Sequence, residues 1–169
     1  MSGPVPSVRL TSLPSKYYEF IGEIMFHWAL HDAQLLDMLG ALLKMGKQER
    51  RLLLGRMDEK SKASLVKFLT KRDMKPKDVL RRGIEKFCEI AQTLSDRRNQ
   101  IAHAPWVRVV GFETPGILEM ETTGKRYSPN AEIVTDEQIE DSISTFRMLT
   151  DLGSMILDQL GQVATELPK

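Results

Sequence analysis

The sequence predicts an all-α fold, an up-down helical bundle with a small β-hairpin inserted before its last helix. Apolar residues recur every three or four positions along three long segments, which is the pattern of amphipathic helices. Between the second and third segments, two short alternating stretches flank Thr114-Pro115-Gly116, a sequence typical of a type II turn. The chain has 169 residues, of which 41% are hydrophobic, and this is enough for one domain with its own core.

The domain organisation follows from proline content and apolar spacing. We expect a flexible N-terminal arm over residues 1–14, where three prolines lie among small residues, and a single helical domain over residues 15–169. The spacing predicts a long helix over residues 15–45 and a short one over 48–54. A third helix should begin at Asp58, whose carboxylate can cap its first turn.

The second long helix should have Pro76 in its first turn, where the missing N–H costs nothing. It should end just after His103, because Pro105 disfavours helical geometry at the preceding residue. Strands are predicted over residues 106–112 and 117–121, with a third short strand over 125–127.

The last long helix has a clear start signal. Thr135 and Gln138 have the spacing of a capping box, and an apolar stripe of helical period follows them.

Charge is unevenly distributed along the chain. The net charge of +1 gives no overall attraction to nucleic acid or membrane, so a polyanion could be bound only by a local cluster of cations. Basic residues dominate between Lys44 and Arg82, whereas acidic residues dominate from Glu132 onward.

The single cysteine, Cys88, excludes a disulfide framework or a thiolate metal cluster within one chain. The start of the chain lacks the regions of a signal peptide, and no apolar run approaches the roughly 20 residues of a membrane span. We therefore expect a cytoplasmic protein that is not associated with a membrane and requires no cofactor.

The most informative motif is Arg98-Asn99, followed after three residues by His103. It places a permanent cation, an amide and a titratable imidazole near the end of one helix. The motif resembles the Rx4-6H signature of the HEPN superfamily (higher eukaryotes and prokaryotes nucleotide-binding domains), since four residues separate the arginine from the histidine. The resemblance covers about residues 15–166 and implies a helical fold of HEPN type.

The resemblance also implies a function, that of a metal-independent endoribonuclease of toxin or defence type. Arg98 would stabilise charge on the phosphorane, Asn99 would orient a phosphate oxygen or the imidazole, and His103 would transfer protons. Members of the superfamily typically form homodimers whose motifs face each other, so RNA would be cut at a composite site. An antitoxin protein is a candidate partner. Some members carry a tyrosine two residues after the histidine, but this chain has Pro105 there.

His31 and Asp32 are candidate supporting residues. Both lie in the apolar arc predicted for the first helix, and Arg98 lies at the centre of the arc of the second long helix. A buried arginine needs a carboxylate or a phosphate, so Asp32 is the leading partner for Arg98. The alternative is a structural ion pair, with His31 a core histidine. A metal site at Glu23, His27 and His31 is disfavoured, because Glu23 and His31 are about 80° apart on a helix.

A basic stretch offers candidate RNA contacts, although a solvated helix and loop surface explains the same residues equally well. These residues are Lys71, Arg72, Lys75, Lys77, Arg81 and Arg82.

Two other functions remain open at this point. One is a non-catalytic helical module that binds a nucleotide or a protein through the same cleft. The other is a purely structural dimerisation bundle, in which His103 would be occluded.

Overall fold

The computed structural model describes residues 8–10, 13–103, 105–109, 114–123 and 126–166. These residues form a mostly helical fold with a small antiparallel sheet. The helices are α1 (Ser15–Leu43), α2 (Lys47–Leu54), α3 (Glu59–Asp73), α4 (Val79–His103) and α5 (Asp136–Glu166). The strands are β1 (Val8–Leu10), β2 (Trp106–Val109), β3 (Pro115–Thr123) and β4 (Arg126–Ile133).

The chain divides into two compact units. The first comprises residues 1–25 and 97–144 and contains the sheet, and the second comprises residues 26–96 and 145–169 and is helical. Helices α1, α4 and α5 each contribute residues to both units. The single domain over residues 15–169 stays a prediction.

The sheet of the first unit is larger than the predicted hairpin. Its four strands lie in the order β1-β2-β3-β4, and all neighbours are antiparallel. Arg9 pairs with Arg108, so part of the segment predicted as a flexible arm is an edge strand. The other residues before Leu13 lie outside the described residues.

The predicted turn at residues 114–116 is wrong, because Pro115 and Gly116 begin strand β3. Gly116 pairs with Val107 on one side and with Ile133 on the other. Proline has no N–H to give to a ladder, which suits it to the first position of a strand. Its carbonyl still accepts a hydrogen bond from the Val134 N–H at 3.1 Å. Residues 110–113 of the predicted first strand lie outside the described residues.

Two predicted helix starts are confirmed. The Asp58 carboxylate accepts from the Ser61 N–H at 2.8 Å. At α5, the Gln138 N–H donates to the Thr135 hydroxyl at 3.2 Å, while the Gln138 side chain accepts from the Thr135 N–H at 2.9 Å.

The predicted start of α4 is too early. The helix begins at Val79 rather than near Pro76, because the Asp78 carboxylate accepts from the Leu80 N–H at 2.9 Å and caps the first turn. The predicted end holds, since α4 finishes at His103.

The helical unit has a core of tightly packed helices. Gly153 of α5 lies so close to its neighbours that an added Cβ would be 2.5 Å from the Gln34 amide carbon and 2.8 Å from the Phe87 ring. Gln34 donates from Nε2 to the Thr150 carbonyl at 2.8 Å, which joins α1 to α5. None of the helices in the described part of the chain is long and apolar enough to cross a membrane.

Candidate active site at the end of α4

Arg98, Asn99 and His103 occupy the C-terminal turns of α4. Asn99 and His103 are four residues apart and lie on the same face of the helix, and both are exposed. Arg98 is half-buried rather than buried: its Nε atom is shielded from solvent, whereas its contact with His103 lies at the surface. The last carbonyls of a helix lack intrahelical partners and carry partial negative charge, which favours cations at this end.

The structure brings the cation and the imidazole of the motif together. Arg98 Nη1 lies 3.4 Å from His103 Nε2. A guanidinium can only donate hydrogen bonds, so the tautomer of His103 that accepts in this contact carries its ring proton on Nδ1. The contact places the Nε2 atom of His103 next to a group that binds phosphate well.

Trp106 holds the turn that carries His103. Its indole N–H donates to the Ile101 carbonyl at 3.0 Å and so satisfies one of the free carbonyls at the end of α4. The Trp106 ring also packs on Tyr17, with 5.7 Å between ring centroids. Sequence reasoning missed this role. A tryptophan three residues after the motif was a usable signal, because a half-buried indole N–H needs an acceptor.

The contacts of Tyr17 extend this support to the start of α5. Its hydroxyl donates to the Asp136 carboxylate at 2.9 Å, and Lys16 donates to the same carboxylate at 2.6 Å. The hydrogen bond from Lys16, followed by that from Tyr17, holds the pKa of Asp136 below its usual range.

The neighbouring arginine, Arg97, contacts one residue of its own helix and one residue of the sheet. Its Nη1 lies 3.3 Å from the Gln100 side-chain oxygen and 3.4 Å from Glu132 Oε1 of β4. Arg97 therefore links the last turns of α4 to the sheet.

His31 lies in the core of the helical unit and is fully buried. Its Nε2 lies 3.0 Å from the Phe146 carbonyl and 2.9 Å from the Thr150 hydroxyl oxygen, and its ring stacks on Phe146 at 5.7 Å. Burial lowers the pKa of His31 to about 4, although the hydrogen bond to Phe146 opposes this. His31 is thus a neutral core residue, which agrees with the structural alternative and not with contact to a substrate.

Thr150 connects His31 to the second histidine of α1. The threonine hydroxyl oxygen lies 3.0 Å from the Phe146 carbonyl, 2.9 Å from His31 Nε2 and 2.8 Å from His27 Nδ1. Because His31 Nε2 also faces the Phe146 carbonyl, which can only accept, this nitrogen of His31 carries a proton. Within the described ranges, no three His, Cys, Asp or Glu side chains are grouped as metal ligands.

Asp32 has a different partner from the predicted one. Both of its carboxylate oxygens lie 2.7 Å from Lys62 Nζ of α3. Only 2% of the Lys62 side chain is exposed, so this ammonium needs a counter-charge. The prediction that Asp32 is the counter-charge of Arg98 is therefore replaced by an ion pair that joins α1 to α3.

The candidate RNA contacts fall into two groups. Arg72 pairs with Asp73 at 2.6 Å, and Arg81 bonds to Glu85 and to the Met74 carbonyl, each at 3.0 Å. Four cations are exposed and form no ion pair with any described residue: Lys71, Lys75, Lys77 and Arg82.

Comparison of the chain with known protein families, with curated proteins and with solved structures finds no match in any of the three.

Proposed function

We propose that this protein is a metal-independent endoribonuclease of HEPN type that acts in the cytoplasm as a toxin or defence factor. The observation that carries the proposal is the 3.4 Å contact between Arg98 and His103 at an exposed helix end. Cleavage of RNA by its own 2′-hydroxyl requires a base for that hydroxyl, a cation for the phosphorane and an acid for the leaving oxygen. Arg98 and His103 supply these chemical types without a metal.

The substrate phosphate would change the hydrogen bonds of the pair. A phosphate oxygen is a better acceptor for the Arg98 guanidinium than a neutral imidazole, because the hydrogen bond is then charge-assisted on both sides. Transfer of the arginine to the phosphate frees His103 Nε2 to accept the 2′-hydroxyl proton. Asn99, exposed one turn before His103, can orient a phosphate oxygen.

The reaction balances without an added reagent. The O2′–P bond forms as a neutral His103 takes the 2′-hydroxyl proton, and the P–O5′ bond breaks as the protonated His103 of the other copy gives its proton to the leaving oxygen. The products are a 2′,3′-cyclic phosphate and a 5′-hydroxyl end. One imidazole cannot easily serve both oxygens, so the proposed enzyme is a homodimer in which the second histidine comes from the other copy. A partner antitoxin would restrain the enzyme by covering this site.

The test is incubation of the purified protein with RNA in excess EDTA, with product ends mapped and the oligomeric state measured by light scattering. We expect cleavage with 5′-hydroxyl ends by the intact protein and none by His103→Ala. Arg56→Ala, which removes an exposed arginine between α2 and α3, is the control and should cleave normally. A verified dimer that leaves RNA intact would contradict the proposal and favour a non-catalytic module that binds a nucleotide or a protein.

A further inference from the structure

Helix α3 exposes a phenylalanine to solvent. Phe68 is 62% exposed, whereas Val66 and Leu69 on the opposite side of the helix are buried. A phenylalanine in this position contributes little to the core of its own chain, and its flat ring is available to another molecule.

Cations follow this ring along the chain, and two of them lie on the same face of the helix. Lys71 and Arg72 follow Phe68 by three and four positions, which makes them its neighbours on the helix surface. Lys75 lies two residues after the end of α3 at Asp73, and it is also exposed. Ser64, one turn before Phe68, is small and exposed.

The nearby acidic groups are occupied by local partners. Asp73 is paired with Arg72, Glu85 is paired with Arg81, and Asp78 accepts from a backbone N–H at the start of α4. The charges of Lys71 and Lys75 are therefore not balanced by an ion pair with any described residue. An aromatic ring beside uncompensated ammonium groups combines the two elements by which proteins hold single-stranded nucleic acid.

We propose that Phe68, Lys71 and Lys75 form a binding site for single-stranded RNA, named here the Phe68 site. One base stacks on the Phe68 ring, and the two ammonium groups contact the adjacent phosphates. A duplex keeps its base faces stacked inside, so the ring selects unpaired RNA. The assignment of RNA as the ligand rests on the proposed ribonuclease function, for which this site would hold the substrate strand.

The test measures binding apart from cleavage. Fluorescence anisotropy with a short unstructured RNA is carried out in the His103→Ala background, where the strand stays intact. Loss of one stacked base costs about a factor of ten in affinity, so Phe68→Ala should weaken binding by roughly tenfold, while Phe68→Trp should preserve it. The matched control is Phe26→Ala, because Phe26 of α1 is similarly exposed, at 61%, but is not followed by lysines.

Salt dependence tests the two lysines. The combined Lys71→Ala and Lys75→Ala variant should bind more weakly and show a smaller slope of affinity against salt concentration, because fewer counterions are released. RNA binding by Phe68→Ala that is as tight as that of the parent protein would overturn the Phe68 site. Equal weakening of binding by Phe68→Ala and Phe26→Ala would also overturn it.

The outcomes for the site and for the function are distinguishable. If the intact protein cleaves RNA but RNA binding does not depend on Phe68, the ribonuclease proposal is supported and the Phe68 site is overturned. If RNA binding depends on Phe68 but the intact protein does not cleave RNA, the Phe68 site is supported and the ribonuclease proposal is overturned. A preference for acidic peptide over RNA at Phe68 would also overturn the proposal, in favour of a protein partner.

Discussion

Arg98 Nη1 lies 3.4 Å from His103 Nε2, so the imidazole accepts a hydrogen bond from a permanent cation. The contact selects one tautomer, since the acceptor nitrogen cannot also carry the proton. It also places the proposed base and the proposed phosphate ligand next to each other before RNA arrives.

This contact predicts the protonation pattern of His103. Nitrogen NMR of the protein at mildly alkaline pH should show the proton of His103 on Nδ1 and a bare Nε2. Arg98→Ala removes the donor and should change the tautomer populations, whereas Arg97→Ala should not. A proton found on Nε2 of the intact protein would contradict the assigned hydrogen bond.

Trp106→Phe should lower both stability and cleavage. The variant keeps most of the apolar contact with Tyr17 but leaves the Ile101 carbonyl without the indole N–H, which costs about 1 kcal/mol. Chemical denaturation measures the stability, and initial rates measure cleavage. Because the change loosens the turn that carries His103, we expect a clear decrease in kcat and a smaller change in KM. Leu53→Ala, at an exposed side chain of α2, should alter neither.

The buried His31 predicts a loss of stability in mild acid. The unfolded chain binds a proton at this histidine below a pKa of about 6.5, but the folded chain does so only below about 4. The contribution of neutral His31 to the free energy of unfolding is therefore fully present above pH 6.5 and decreases as the pH drops toward 4. The loss over this range is about 3 kcal/mol, at 1.36 kcal/mol for each pKa unit.

Urea unfolding at several pH values checks this prediction. Relative to the intact protein, His31→Gln should show a weaker dependence of unfolding free energy on pH between 6.5 and 4. His103→Gln changes an exposed histidine and should keep the dependence of the intact protein. A steep loss of stability that survives in His31→Gln would assign the acid sensitivity to other groups.

The ion pair of Lys62 predicts an asymmetry between its two partners. Asp32→Asn leaves a buried ammonium without its counter-charge and should destabilise the protein by about 3 kcal/mol. Lys62→Met removes the buried charge itself, and the Asp32 carboxylate that remains is 39% exposed and can be hydrated, so the loss should be smaller. Thermal unfolding of both variants gives the comparison. Equal losses of stability in the two variants would contradict the expectation that an unpaired Lys62 costs more free energy than an unpaired Asp32.

The sequence by itself determined the features that depend on neighbouring residues. The caps at Asp58 and Thr135 and the end of α4 before Pro105 follow from backbone groups only a few positions away, and the structure has them where the pattern predicts them. The grouping of Arg98 with His103 is local in the same way, because five positions of one helix bring both side chains to its end.

Tertiary structure decided every relationship between distant parts of the chain. Helical periodicity put Asp32 in an apolar arc but could not show that a lysine 30 positions later would supply its counter-charge. The pairing of β1 with β2 and the extended conformation of Pro115 and Gly116 also depend on strands far away in the sequence. Such contacts depend on the free energy of packing and of charge compensation in the folded chain. The spacing of residues along one helix or strand carries no information about either of them.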